Sequence, residues 1–190
     1  MDIAENAVAA DATLIEIGVM EDKRGDWVRI RVKDNGKGIP AELIENVADP
    51  FYTTRTTRRV GLGLSLFREA SRRCGGSFEI RSKKGEGTEV LGSFRRNDID
   101  RAPLGDMLSS LVSLIIGNPG VDFVYHHDVD GRAFHLDTRE VKQTLDGLPI
   151  HQPEVIKFLK EFLLESLTKI EAEGYHSAPS GRSNPNHAEA

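Results

Sequence analysis

Val28, Ile30 and Val32 alternate with Arg29, Arg31 and Lys33, and the run passes without a spacer into Asp34-Asn35-Gly36-Lys37-Gly38. Such alternation describes a strand with one buried and one solvated face. The residues that follow carry turn chemistry too dense for regular structure. A chain with this feature builds a sheet covered on one side, and it delivers a carboxylate at a strand end beside two glycines.

The rest of the chain supplies the sheet and its cover. Residues 2–10 are alanine-rich and read as a helix starting almost at Met1, with nothing ahead to cap it. Residues 13–20 and 27–33 read as strands joined by a hairpin-like K-R-G-D. A short helix near 41–46 leads into Asp49 to Phe67, an arginine- and threonine-rich stretch ending in Gly-x-Gly. Leu66, Phe67, Ala70 and Cys74 then mark a helix face closed by Gly75 and Gly76. Strands around 77–82 and 88–95 flank a second glycine turn.

Beyond residue 97 an apolar helix over 104–116 is followed by a hairpin, 121–128 and 131–137, around Asp130-Gly131. Asp137 with Glu140 forms a D-x-x-E capping signature for a helix near 138–146. Pro153 opens a long amphipathic helix with Ile156, Leu159, Phe162, Leu163, Leu167 and Ile170 along its stripe. This order predicts an α/β (α+β) fold, a two-layer sandwich of a mixed, mostly antiparallel sheet with helices on one face. The expected divisions are a domain over 1–97, a smaller α/β C-terminal appendage over 98–173 and a disordered polar tail over 174–190.

Composition narrows the function classes. A formal net charge of −5 gives no reason to expect nucleic-acid or membrane binding. The lone Cys74 rules out an internal disulfide, fits a reducing compartment and reads as a buried structural thiol. Acidic residues occupy the place of a signal peptide's basic region, and the expectation is a cytoplasmic protein.

Four signals carry chemistry. Asp2 and Asn6 share a helix face at i, i+4 and offer two hard oxygens to a cation; the bland alternative is an acid favoured near a helix N-terminus. Asp34 can accept a hydrogen bond from an exocyclic amine while Gly36 and Gly38 let backbone approach a flat ligand; a simple tight turn competes. Gly61 and Gly63 stand where a helix begins, a place that favours phosphate, with Arg55, Arg58 and Arg59 upstream. An arginine-rich loop alone is usually only solvated. Thr88 enters a strand from Gly85-Glu86-Gly87. No G-x-x-x-x-G-K-[ST] is present, which excludes the ordinary P-loop.

In order, Asn on a first helix, D-x-G-x-G after a strand, P-F-x-T-T, G-L-G-L-S-L and G-x-G-T resemble the nucleotide site of the GHKL ATPase superfamily, across residues 2–90. The resemblance implies a Bergerat-type ATP-binding fold using ATP and Mg²⁺. It makes Asn6 the Mg²⁺ ligand, puts Asp2 where some members keep a water-activating glutamate, and makes Asp34 the adenine-amine acceptor. Gly36 and Gly38 would make room for the nucleotide, and Thr88 would sit beside the base. Phe51, Thr54, Arg55, Arg58, Gly61, Leu62, Gly63 and Leu64 would form a lid and phosphate wall. The resemblance also implies that Met1 falls inside the family's first helix, so an earlier start is expected.

The short stretch between P-F-Y-T-T-R and G-L-G-L-S-L is similar to the histidine-kinase branch. The position where sensor kinases commonly keep a lysine is Ala9, and no histidine lies in an acceptor-helix pattern. The expectation is therefore a kinase or ATPase domain whose phosphoacceptor or regulatory partner is another protein, with an ATP-sensing module of little turnover as the alternative. A homodimer is also allowed. Over its whole length the chain is further similar to small stand-alone ATP-binding proteins associated with hydrogenase gene clusters. His126 and His127, adjacent on a strand, point to opposite faces and read as surface or satisfied histidines.

Overall fold

The computed structural model describes residues 1–44 and 63–172. In chain order these form α1 (Asp2–Ala9), β1 (Leu14–Asp22), β2 (Trp27–Asp34), α2 (Ala41–Ile44), α3 (Gly63–Arg73), β3 (Phe78–Lys83), β4 (Gly87–Arg95), α4 (Met107–Gly117), β5 (Asp122–Val129), β6 (Arg132–Asp137), α5 (Thr138–Thr144) and α6 (Pro153–Lys169). The strands make one six-stranded sheet in the order β3-β4-β2-β1-β5-β6. Neighbours are antiparallel except β1 and β5, which run parallel; the chain reaches β5 from β4 through α4, crossing past β2 and β1. The β5–β6 hairpin thus continues the sheet begun by the first four strands.

Alternation decides which face is covered. Ile15, Ile17 and Val19 of β1, Val32 of β2, Phe123 and Tyr125 of β5 and Leu136 of β6 share a core with α1, α4 and α6. Phe67 of α3 packs edge-on against Phe78 and Phe94 on the same side. It fits because residue 92 is glycine, where a Cβ would meet the Phe67 ring at 2.4 Å. The opposite face carries Glu16, Gly18, Met20, Arg29, Arg31, Glu79, Leu91 and His126 around an open depression of about 510 Å³. Arg31 is held at its centre by Glu89 (2.6 Å) and Glu16 (3.2 Å).

One helix start and one cap differ from expectation for local reasons. Gly105 takes a left-handed φ of 73°, and the Asp106 side chain accepts from Ser109 N at 2.8 Å. The helix expected from 104 therefore begins at Met107. Asp137 caps α5 through Arg139 N at 2.9 Å and forks with the Arg139 guanidinium, in place of a reciprocal box with Glu140. That guanidinium holds the Asp137 carboxyl below its usual range.

One polar chain lies inside the sheet. Tyr125 Oη and His127 Nδ1 are 2.7 Å apart, and His127 Nε2 lies 2.9 Å from Glu21 Oε1, across the parallel β1–β5 joint. Glu21 and His127 are fully buried. A tyrosine hydroxyl donating to Nδ1 leaves the Nε2 proton for the carboxylate. Burial, then the Glu21 charge, pushes the Tyr125 hydroxyl far above its usual range. No helix among the described residues is long and apolar enough to cross a membrane.

Val155, Leu159, Leu163 and Leu167 form the buried row of α6, a narrower stripe than expected, since Phe162 is 38% exposed. Leu163→Ala should cost about 3 kcal/mol, as cavity-forming core substitutions do. Leu164→Ala, at a residue 43% exposed, should cost well under half of that. Urea unfolding of both variants measures the contrast.

Candidate nucleotide site

The turn after β2 and the turn between β3 and β4 meet backbone to backbone. Gly38 has φ +63°, and a Cβ there would strike Lys83 O at 2.1 Å. Gly87 has φ +99°, and its Cβ would strike Asp34 O at 2.0 Å. Only glycine satisfies both the conformation and the approach. The junction is closed by Gly85 N donating to Lys37 O (2.8 Å) and Ile39 N donating to Ser82 Oγ (2.8 Å).

Asp34 stands at the centre of this junction, 8% exposed. Its Oδ1 accepts from Gly36 N (2.8 Å) and Thr88 N (3.3 Å). Burial pushes its carboxyl above the usual range, and the two amides oppose that shift in part. A raised native pKa means that this group supports stability at low pH and loses that support as pH rises through the pKa. Thr88 is tied in turn to Ser82, whose Oγ lies 2.8 Å from Thr88 Oγ1 and donates to Gly87 O. Sequence reasoning passed over Ser82. Its signal was a polar residue on the inward side of β3, in line with Phe78 and Ile80. Asn35, also passed over, accepts from Thr13 N and Leu14 N at 2.9 Å and so anchors the start of β1 to the turn.

Helix α1 abuts the same turn. Lys37 N donates to Ala10 O (2.9 Å), and a Cβ on Gly36 would meet that oxygen at 2.6 Å. The Lys37 ammonium reaches Ala9 O at 3.4 Å, a cation at a helix C-terminus that has no basic residue of its own. At the other end of α1, Asp2 lies against the first residue of α3, where a Cβ on Gly63 would meet Asp2 Cβ at 2.6 Å. Asn6 lies between these ends, half-buried, and Leu64 follows Gly63 in α3.

Asp34, Gly36, Gly38 and Thr88 are thus in one junction, Asn6 on the helix beside it, and Asp2 against Gly63. Phe51, Thr54, Arg55, Arg58, Gly61 and Leu62 lie outside the described residues. No group of three or more His, Cys, Asp or Glu that could hold a metal occurs among the described residues. A Mg²⁺ ion fits this donor set nonetheless, because it is usually held by one or two protein oxygens plus phosphates and water.

A one-face-covered mixed sheet with a buried strand-end carboxylate, two glycine turns and a carboxamide-bearing helix makes this an α/β domain with the arrangement expected of a nucleotide site. Residues 1–97 match the family described as Histidine kinase-, DNA gyrase B-, and HSP90-like ATPase, and the chain belongs to that family. Those residues are an ATP-binding, kinase-like domain.

The chain is 37% identical over 99 residues to the sensor histidine kinase YxdK of Bacillus subtilis (strain 168), covering 48% of this chain and 30% of the kinase. It is 41% identical over 71 residues to the CAI-1 autoinducer sensor kinase/phosphatase CqsS of Vibrio cholerae, covering 37% and 10%. Among solved structures, full-length ShkA in complex with AMPPNP is 25% identical, with a TM-score of 0.42 over 50% of this chain and 20% of that one. The chain therefore spans less than a third of the length of either curated kinase.

Gly87→Ala forces an L side chain into a left-handed φ and into the Asp34 carbonyl. Strain and overpacking together should cost roughly 2–4 kcal/mol. Gly105→Ala also has a positive φ but open space around it, and should cost about 1 kcal/mol. Thermal unfolding of the pair tests whether the junction, and not the φ alone, sets the cost.

Proposed function

We propose that this protein is a Mg·ATP-dependent kinase or ATPase of the histidine-kinase type whose phosphoacceptor lies on another protein. The observation that carries the reading is the buried Asp34 carboxylate, fixed by two backbone amides beside glycine turns in a domain of an ATPase family. In this reading the Asp34 oxygen accepts the adenine amine, and Gly36 and Gly38 keep the wall flat for the base. Thr88 contacts the base edge. Asn6 holds Mg²⁺, which when bound neutralises phosphate charge. Asp2, at the junction with Gly63, orients water or the acceptor. Residues 51–64 supply the lid and the phosphate contacts, with Arg55 and Arg58 as its cations.

The domain would occupy residues 1–97, with 98–173 as an appendage that meets the partner and 174–190 as a tail. The working place is the cytoplasm. His126 lies exposed on a strand and His127 is sealed against Glu21, so neither stands on a helix of the kind that presents an acceptor.

Incubation with γ-labelled ATP, with and without lysate protein, tests the reading. Label on a partner protein, or phosphate release above an Asn6→Ala control, is the expected outcome, with the control at least tenfold lower. ATP binding without transfer or release would instead identify a nucleotide sensor.

A further inference from the structure

Among the described residues, the open face of the sheet carries a feature that the nucleotide site does not use. In the antiparallel β5–β6 pair, His126 stands directly opposite His135. Both side chains are exposed, with ring centroids 6.4 Å apart and planes tilted by 53°. We propose that His126 and His135 form a two-imidazole site for a borderline divalent cation of the Zn²⁺, Ni²⁺ or Cu²⁺ class.

Geometry favours it. A metal–nitrogen bond of about 2.1 Å, added to a ring radius near 1.1 Å, puts two imidazoles that share an ion at centroid separations of roughly 5–6 Å. Directly opposed residues on antiparallel strands are the neighbours that can reach this span. A small rotation of two exposed rings closes the remaining distance. Neither imidazole has a hydrogen-bond partner among the described residues, so neither lone pair is committed.

The surroundings leave room for an ion. Across from His126 on β1 stands Gly18, which has no side chain to cover the ring. His126 forms part of the wall of the 510 Å³ depression, so the open coordination positions would face a space that admits water or a small donor ligand. The nearby carboxylates on this face are engaged elsewhere. Asp137 is forked by Arg139, and Asp128 accepts from Gly131 N at 3.0 Å. His127 is excluded because it points into the core against Glu21. Imidazole donors without thiolates or free carboxylates select borderline metals over Mg²⁺ or Ca²⁺.

Titration of ZnCl₂ alone into the full chain, without nucleotide, tests the proposal by calorimetry. One equivalent should bind, with affinity falling on acidification because the ligands must be neutral. His126→Asn and His135→Asn should each weaken binding at least tenfold. Zn²⁺ should raise the thermal midpoint of the wild type and not of these variants. A His176→Asn/His187→Asn double variant should bind like the wild type. Absence of binding to the wild type, unchanged affinity in both strand variants, or loss in the double variant would each overturn the site.

Discussion

The junction proposed to face a nucleotide is held together by one carboxylate oxygen. Asp34 Oδ1 accepts from the amides of Gly36 and Thr88, and so joins the end of β2 to the start of β4. A buried charge of this kind is tolerable only where fixed donors replace water. Two close backbone approaches, at Gly38 and Gly87, bring those donors into place. The position of this carboxylate is thus a consequence of how closely the two turns approach.

The same turn sets the position of α1. Lys37 N and the Lys37 ammonium hold the last carbonyls of that helix, so Asn6 and Asp2 are referenced to Asp34 through a short run of hydrogen bonds. From β1 the sheet continues directly into β5, and the buried Tyr125–His127–Glu21 chain crosses that joint. The C-terminal hairpin is therefore hydrogen-bonded, strand to strand, to the part of the sheet that carries Asp34.

Much of this was legible in the sequence because period-two alternation is a direct imprint of burial. Val28 and Val32 of β2 could be assigned from it; on α6 the helical period placed Leu159, Leu163 and Leu167 but missed Val155 and counted Phe162, which is 38% exposed. Asp34, Gly36, Gly38 and Thr88 could be grouped because the order of their motifs resembles that of a known family. Other features needed the fold. The residues of β5 that pair with β1 lie 108 positions further along the chain (Leu14 with Asp122), so no local pattern could name β5. Ser82 looked like an ordinary strand residue until its position beside Thr88 gave it three hydrogen-bonded neighbours at the junction, Ile39, Gly87 and Thr88. Asp106 displaced a helix start by three residues because a side-chain cap outranked the apolar run around it. The pairing of His126 with His135 was overlooked for a different reason: the H-H dipeptide draws attention to two neighbours that face opposite ways, while the partner stands across the hairpin.

The central claim is that Asp34 reads an exocyclic amine. Calorimetric titration with ATP and, separately, with inosine triphosphate tests it most directly, since the two differ at the base position where ATP carries the amine donor and inosine a carbonyl. A buried acceptor left facing a carbonyl oxygen loses its bond and gains a repulsion, a penalty of about 1–3 kcal/mol or more. Binding of inosine triphosphate at least tenfold weaker than ATP is the predicted result. Equal affinities would contradict the role assigned to Asp34.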